Sequence, residues 1–319
     1  NINPDIEIES LNKQIIEELI NKKTKISIDS KYYLKKLLNN NYKKLIETEN
    51  KFISNKLSYK FICDIDKNLK IIGITSSGKI IQINWEKSIN QDCKLDNKFL
   101  NNINPTEIIN FHKILKSEES YLCILNNEGR FKKIKIDEDI FKSTRVSSIA
   151  KIKNNNNIVN SFISTQKELL IILTSIGRIF KFNLSNKFIA PSSKQAQGTI
   201  LSKLFPSENI ISCCKCQEQD DLVIASKKGL FFKINSDEIY NSHESKLGYI
   251  NEKFRIKNDS FIQVFPNNYY CEIETNKENL TRINFSNFST KNYIFNLPFL
   301  KLEKDEFITK VNFHESLID

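Results

Sequence analysis

Basic residues recur at matching places in successive segments of this chain, and their register carries its most informative chemistry. Each segment reads as an apolar run, a small polar turn and a second apolar run that bears the cations. Directly after the turn stand Lys79, Arg130 and Arg178, with Leu230 in the fourth copy; four residues after it stand Gln82, Lys133, Lys181, Lys233 and Arg282. The loops beyond add Lys142, Arg145, Lys194 and Lys246. Side chains that repeat at one place in every unit of an array fall on one rim, so their charges add into a belt. A belt of this kind neutralises phosphates and releases their counterions, giving binding that is salt-dependent and largely blind to base sequence. A formal net charge of +10, from 48 basic and 38 acidic residues, agrees with a polyanionic partner, and the register favours DNA.

Little else in the chain has the makings of an active site. The three histidines, His112, His243 and His314, stand far apart, which leaves a histidine-based triad or metal centre without material. Cys213-Cys214-Lys215-Cys216 is the one thiol cluster. A zinc or redox site there lacks a second CxxC or a nearby His, and the alternation along Ile210–Cys216 reads as a strand. No glycine-rich phosphate loop of the Walker or dinucleotide type occurs. No catalytic residue, metal ligand or cofactor site is therefore expected. Seven Cys, several inside apolar runs (Cys63, Cys123, Cys271), fit buried reduced thiols in a cytosol-like compartment. No apolar run approaches the roughly 18 residues of a membrane span. The chain starts with Asn and has no Met, so it reads as a processed product or a piece of a longer protein.

The cations are positioned by hairpins. Four clear copies run from Ile71–Ile74 to Lys79–Asn84, Leu122–Leu125 to Arg130–Lys135, Leu170–Leu173 to Arg178–Asn183 and Leu222–Ala225 to Leu230–Asn235. A weaker fifth runs from Cys271–Glu274 to Asn279–Asn284. Their turn positions, Gly78, Gly129, Gly177, Gly229 and Glu278, recur at intervals of about fifty residues, the signature of an array of β-units. Glycine supplies the positive φ that such turns need. Three residues before the turn position stands Thr75, Asn126, Thr174, Ser226 or Thr275, a strand-end polar group that satisfies local backbone. Each unit holds about four strands, the content of a propeller blade.

Residues 1–56 differ. Leu11, Ile15, Ile16, Leu19 and Ile20 follow helical spacing, and a second stripe through Leu34, Leu37, Leu38, Leu45 and Ile46 to Phe52 predicts another helix capped by Asp29 and Ser30. The chain is thus expected to be all-β, with about five four-stranded propeller-like blades over residues 57–319 behind a helical linker or coiled-coil tail over 1–56.

The stretch Thr174-Ser175-Ile176-Gly177-Arg178-Ile179-Phe180-Lys181, then Ser185-Asn186-Lys187-Phe188 and Gln197-Gly198-Thr199-Ile200, resembles the repeats of the C-terminal domain of DNA gyrase and topoisomerase IV A subunits. The stretch Tyr33–Asn40 through Phe52 is similar to the helices that leave the breakage-reunion core of that family. The resemblance implies a β-pinwheel, a propeller-like disc with strands exchanged between blades, around whose basic perimeter DNA bends. Carried over, the perimeter candidates are Lys79, Arg130, Lys133, Arg145, Arg178, Lys181, Lys194, Lys233 and Lys246. It also implies double-stranded DNA, the topoisomerase core of the same chain and an ATPase B-type subunit as partners. No membrane partner is implied, and the location is bacterial cytoplasm or an organelle such as a plastid. ATP and Mg would serve the holoenzyme, with no cofactor in this fragment. Cleavage in the family uses a tyrosine in an Ala-Arg-Tyr-Thr context, which none of the ten Tyr here has.

Two departures favour a topoisomerase-IV-like or diverged member. The Gln-Arg-Arg-Gly-Gly-Lys-Gly box of gyrase has no counterpart in Glu86–Asn101, with only a faint echo at Lys194–Gly198. Gyrase also tends to six units where the sequence shows five. The rival reading is a propeller-type protein-interaction platform without a DNA role.

Overall fold

Each unit begins with one tight turn whose hydrogen bonds are the same in all six copies. The computed structural model describes residues 4–47, 51–53, 57–114, 119–137, 146–152, 156–243, 247–252, 254, 256–287 and 293–314. A polar residue ends the first strand of every hairpin. Its carbonyl accepts from the N–H three residues on, and its side-chain oxygen accepts from the N–H after that. Thr75 so receives Gly78 and Lys79, Asn126 Gly129 and Arg130, Thr174 Gly177 and Arg178, Ser226 Gly229 and Leu230, and Thr275 Glu278 and Asn279. Asp29 does the same for Tyr32 and Tyr33. The last loop residue has a positive φ, 79° at Gly78, 59° at Glu278 and 63° at Tyr32, as a three-residue hairpin loop requires.

The elements then follow one order. A helix α1 (Pro4–Asn21) precedes unit 1, which holds β1 (Lys25–Asp29), β2 (Tyr33–Leu37), α2 (Asn39–Glu47), β3 (Lys51–Ile53) and β4 (Tyr59–Asp64). Unit 2 has β5 (Lys70–Thr75), β6 (Lys79–Ile83), β7 (Cys93–Lys94) and β8 (Ile108–Ile114). Unit 3 has β9 (Tyr121–Asn126), β10 (Arg130–Lys135), β11 (Ser147–Ser148) and β12 (Ile158–Ser164). Unit 4 has β13 (Leu169–Thr174), β14 (Ile179–Asn183), β15 (Thr199–Ile200) and β16 (Ile210–Cys216). Unit 5 has β17 (Asp221–Ser226), β18 (Leu230–Asn235) and β19 (Phe261–Pro266), its short strand reduced to a bridge at Tyr249. Unit 6 has β20 (Tyr270–Thr275), β21 (Leu280–Asn284), β22 (Ile294–Asn296) and β23 (Ile308–His314).

The three long strands of a unit pair with one another, and the short one pairs with the unit before. β7 joins β2, β11 joins β6, β15 joins β10, Tyr249 joins Ile179 and β22 joins β18. β3 completes the circle on β21, through Lys51↔Arg282 and Ile53↔Leu280. The ring is closed.

Apolar cores fill the spaces between successive blades. The core between blades 1 and 2 takes in Ile16 and Leu19 of α1 and Trp85, whose Nε1 donates to the Leu69 carbonyl at 2.9 Å. Among the described residues the thinnest core lies between blades 6 and 1, where Leu37, Tyr42, Leu45, Ile62 and Tyr270 meet. A buried ionic group fills out that seam. Glu272 accepts from Arg282 Nε at 2.9 Å and from the Tyr59 N–H at 2.6 Å, with His314 Nε2 at 3.5 Å.

The fourth strands surround the axis, and a girdle of polar side chains ties them together. Asn110 Oδ1 accepts from the Ser161 N–H at 3.0 Å, and Asn160 Nδ2 donates to the Cys213 carbonyl at 2.6 Å. Ser212 Oγ accepts from the Val264 N–H at 3.2 Å, and Gln263 Oε1 from the Val311 N–H at 3.1 Å. Blades 1 and 2 meet instead through Phe61 and Phe111, with ring centroids 6.3 Å apart.

Two expectations change. The ring has six blades rather than about five, and the added blade lies where an all-helical leader was predicted. Leu34 and Leu37 belong to β2, and Asp29 with Ser30 forms a hairpin turn, not a helix cap. The spacing of Leu34, Leu37 and Leu38 does satisfy a helix. The edge of β1, however, is paired along its length by β4, from Lys25↔Asp64 to Asp29↔Tyr59, and that decides the local structure. The helical spacing of Leu11–Ile20 does form α1, and Leu45 and Ile46 lie on α2. A division at residue 56 therefore cuts through blade 1. No helix among the described residues is long and apolar enough to cross a membrane.

A chain beginning at residue 57 should lose blade 1 and the closing strand together. Its thermal midpoint should fall by roughly 10 °C or more, at about 2–4 °C per kcal/mol for a large domain; equal midpoints for the two chains would show that β3 closes nothing.

Candidate nucleic-acid interface

The cations four residues after each turn point mostly into the protein. Lys133 is 1% exposed. Its ammonium donates to the carbonyls of Leu184 and Ile189 and to Asn186 Oδ1, and lies 4.3 Å from the Tyr121 ring centroid. Burial pulls its pKa below the ordinary lysine value. Lys181 is half-buried and donates to the Ser236 carbonyl at 2.9 Å. In both cases the acceptors belong to the segment after the next unit's hairpin. Arg282 repeats the reach, from blade 6 to the Leu57 carbonyl of unit 1 at 3.4 Å. Lys233 pairs with Asp221 at 2.8 Å within its own blade. Lys133, Lys181 and Arg282 thus staple neighbouring blades, whereas Lys233 does not.

The two arginines directly after the turn, Arg130 and Arg178, clip the exchanged segments. Arg130 Nη1 donates to the Gly198 carbonyl at 3.1 Å, at the start of β15. Gly198 lies so close that a Cβ there would sit 2.4 Å from the Phe131 carbonyl oxygen. Arg178 is 1% exposed and makes the equivalent bond to the Leu247 carbonyl. It also donates to the Lys203 carbonyl at 2.7 Å and grips Glu208 with two nitrogens, while its guanidinium lies 4.1 Å from the Phe205 ring. Burial by itself would raise the Glu208 pKa. Bonds from Arg178 and Thr174 and from the Phe205 N–H outweigh it and hold the carboxyl below its ordinary value.

Lys133 and Arg178 are therefore corrected: both are buried, and a phosphate cannot reach them. Lys79 is exposed; Arg130, Lys194 and Lys233 are half-buried, like Lys181. Arg145 and Lys246 lie outside the described residues. Cations that the spacing did not single out stand beside the exchanged strands at the outer edge of the ring: Lys94 on β7, Lys151 just after β11 and Lys203 just after β15, all exposed. Only the strand exchange reveals them, because it shows which loops form the rim. Arg130 and Lys151 share a rim groove of about 810 Å³ with Asn127, Asn156 and Gln197, and with the carboxylates Glu128 and Glu208. Cys213, Cys214 and Cys216 lie on β16, where burial raises all three thiols, Cys213 and Cys216 to about 12.

Comparison with protein-family models and with curated proteins yields no match. Solved structures do match. The C-terminal domain of DNA topoisomerase IV superposes with a TM-score of 0.71 at 14% identity, over 92% of this chain and 93% of that one. The DNA gyrase A C-terminal domain gives 0.68 at 18% identity, over 91% and 99%. The chain has the fold of the C-terminal domains of type IIA topoisomerase A subunits. The E. coli ParC C-terminal domain gives 0.54 at 12% identity, over 76% and 98%. The β-pinwheel implied by the repeats is thus the observed fold.

Replacing Glu208 by Gln leaves the Arg178 charge buried without its counter-ion, which should cost about 3–5 kcal/mol in urea unfolding. Replacing the pair by Arg178→Met and Glu208→Leu should recover part of that loss. In the parent chain the Glu208 contribution is present above the unfolded pKa near 4.5 and fades as pH falls below it. A cost under about 1 kcal/mol would place the pair outside the structural role assigned here.

Proposed function

We propose that this chain is the non-catalytic DNA-binding and DNA-bending domain of an ATP-dependent type IIA topoisomerase A subunit. The observation that carries the reading is the fold that this ring shares with the C-terminal domains of topoisomerase IV and gyrase A. DNA follows the rim, with its phosphates on Lys79, Lys94, Arg130, Lys151, Lys194 and Lys203. These groups stand at the outer edge of consecutive blades, so a duplex that touches them all must curve. Strand cleavage belongs to the core of the same chain, and ATP with Mg to the B-type partner. Within this reading, the missing gyrase box favours relaxation or decatenation over the introduction of supercoils, whereas the six-blade count no longer separates the two enzymes.

One observation favours a protein-interaction platform instead. Leu247 and Ile250, which flank the exchanged residue Tyr249, are 61% and 64% exposed on the same rim.

Duplex binding by the full chain should weaken steeply from low to moderate salt. Lys79→Glu, Lys151→Glu and Lys203→Glu should each flatten the log–log salt slope by about 1 or more, and weaken unrelated duplexes alike. Salt-independent or absent binding at low ionic strength would favour the platform.

A further inference from the structure

The fourth strands enclose an axial channel of about 790 Å³. Its lining includes Lys60, Lys113, Lys215 and Lys310, and no Asp or Glu. Lys215 is answered from behind the wall by Glu168 at 3.2 Å. Lys60 and Lys310 have no carboxylate within salt-bridge reach among the described residues. Lys60 lies 4.7 Å from the centroid of the Tyr32 ring. Lys310 stands opposite Glu274 across the β20–β23 ladder, but a Glu274 carboxylate oxygen is taken by Asn312. The Lys310 side chain is exposed to the channel while protein surrounds it, and this crowding, followed by repulsion from Lys60, pulls its pKa down to about 8 against the weaker attraction of Glu274.

The place of Lys310 in the repeat gives this pair its meaning. Each fourth strand slips register opposite the polar residue that starts the hairpin turn, and the first residue beyond the slip is Phe61, Asn110, Asn160, Ser212, Gln263 or Lys310; Phe61 packs on Phe111 at the seam between blades 1 and 2. The four neutral polar residues bond to the next blade and form the girdle. Lys310 occupies the same position at the seam between blades 6 and 1, and an ammonium cannot accept a hydrogen bond. Where three of the other seams place an acceptor, this one places two like charges. It is also the seam with the thinnest apolar core and the one that β3 closes.

We propose that the turn-side mouth of the axial channel binds a small phosphate-bearing anion between Lys60 and Lys310, bridging blades 6 and 1. An oxyanion there supplies the acceptor that the girdle lacks, neutralises both ammonium groups and adds a cross-seam bond. The channel admits phosphate or diphosphate and excludes a duplex, so the site is separate from the rim and does not depend on the reading of the rim.

The test uses the full chain and sodium diphosphate, compared with sodium chloride at equal ionic strength. Diphosphate should raise the thermal midpoint by a few degrees beyond chloride and bind measurably by calorimetry. Lys310→Gln, which installs the amide found at Gln263, should weaken diphosphate at least tenfold and leave the anion-free chain no less stable than the parent. Lys60→Gln should also weaken it, whereas Lys113→Gln, near the opposite mouth, should not. An ADP arm separates the sources of the ligand: binding as tight as diphosphate and equally sensitive to Lys310 supports a nucleotide, and weaker binding supports the inorganic anion. The proposal is overturned if diphosphate acts no differently from chloride, or if both Lys310→Gln and Lys60→Gln bind it as the parent does.

Discussion

A β-sheet blade cannot stand with its outer strand unpaired, because a row of unsatisfied N–H and C=O groups recruits whatever edge comes near. In this protein the second strand of each hairpin is covered by a short strand sent back from the following unit or, at β14, by isolated bridges at Tyr249 and Asn241. That single constraint fixes the ring. Each blade is complete only when its successor is in place, and the last is completed by the first through β3. The apolar cores lie between blades, so lateral packing and strand exchange act on the same neighbours.

The regular cations serve this cohesion before they serve any ligand. Lys133, Lys181 and Arg282 reach backbone carbonyls of the neighbouring unit, and Arg130 and Arg178 hold the carbonyls at the start of the exchanged segments. Short loops running between blades present carbonyl oxygens with no ladder partner. A long side chain with several donors can satisfy two or three of them at once, and Arg and Lys carry the most. A side chain that recurs in register therefore has a structural reason to recur. Charge that faces outward follows the loops of the rim and keeps no strict period.

Much of the fold was legible in the residues. Gly78, Gly129, Gly177 and Gly229 marked the hairpins, and the polar residue three positions earlier was correctly read as a partner for local backbone. Unit 1 escaped because Tyr32 stands at the left-handed position and Asp29 at the acceptor position, so neither familiar letter appears. Its leucines also happen to fit a helix. The exchange itself left little trace, since a two-residue strand such as β7 or β15 has no periodicity to detect. The rim stayed hidden with it. Glu272, a charged residue inside the weaker fifth copy, is buried against Arg282 and fastens the seam.

Because the closing strand lies near the beginning of the chain and its partner near the end, ribosomal synthesis delivers them far apart in time. Residues 51–53 emerge early and wait, bare, until β21 has been made, while the intermediate units can pair in order as they appear. During that interval two mutually complementary sheet margins coexist on one nascent polypeptide. Two such chains on neighbouring ribosomes offer each other the same match, so the step that seals the circle is also where a domain-swapped dimer would form.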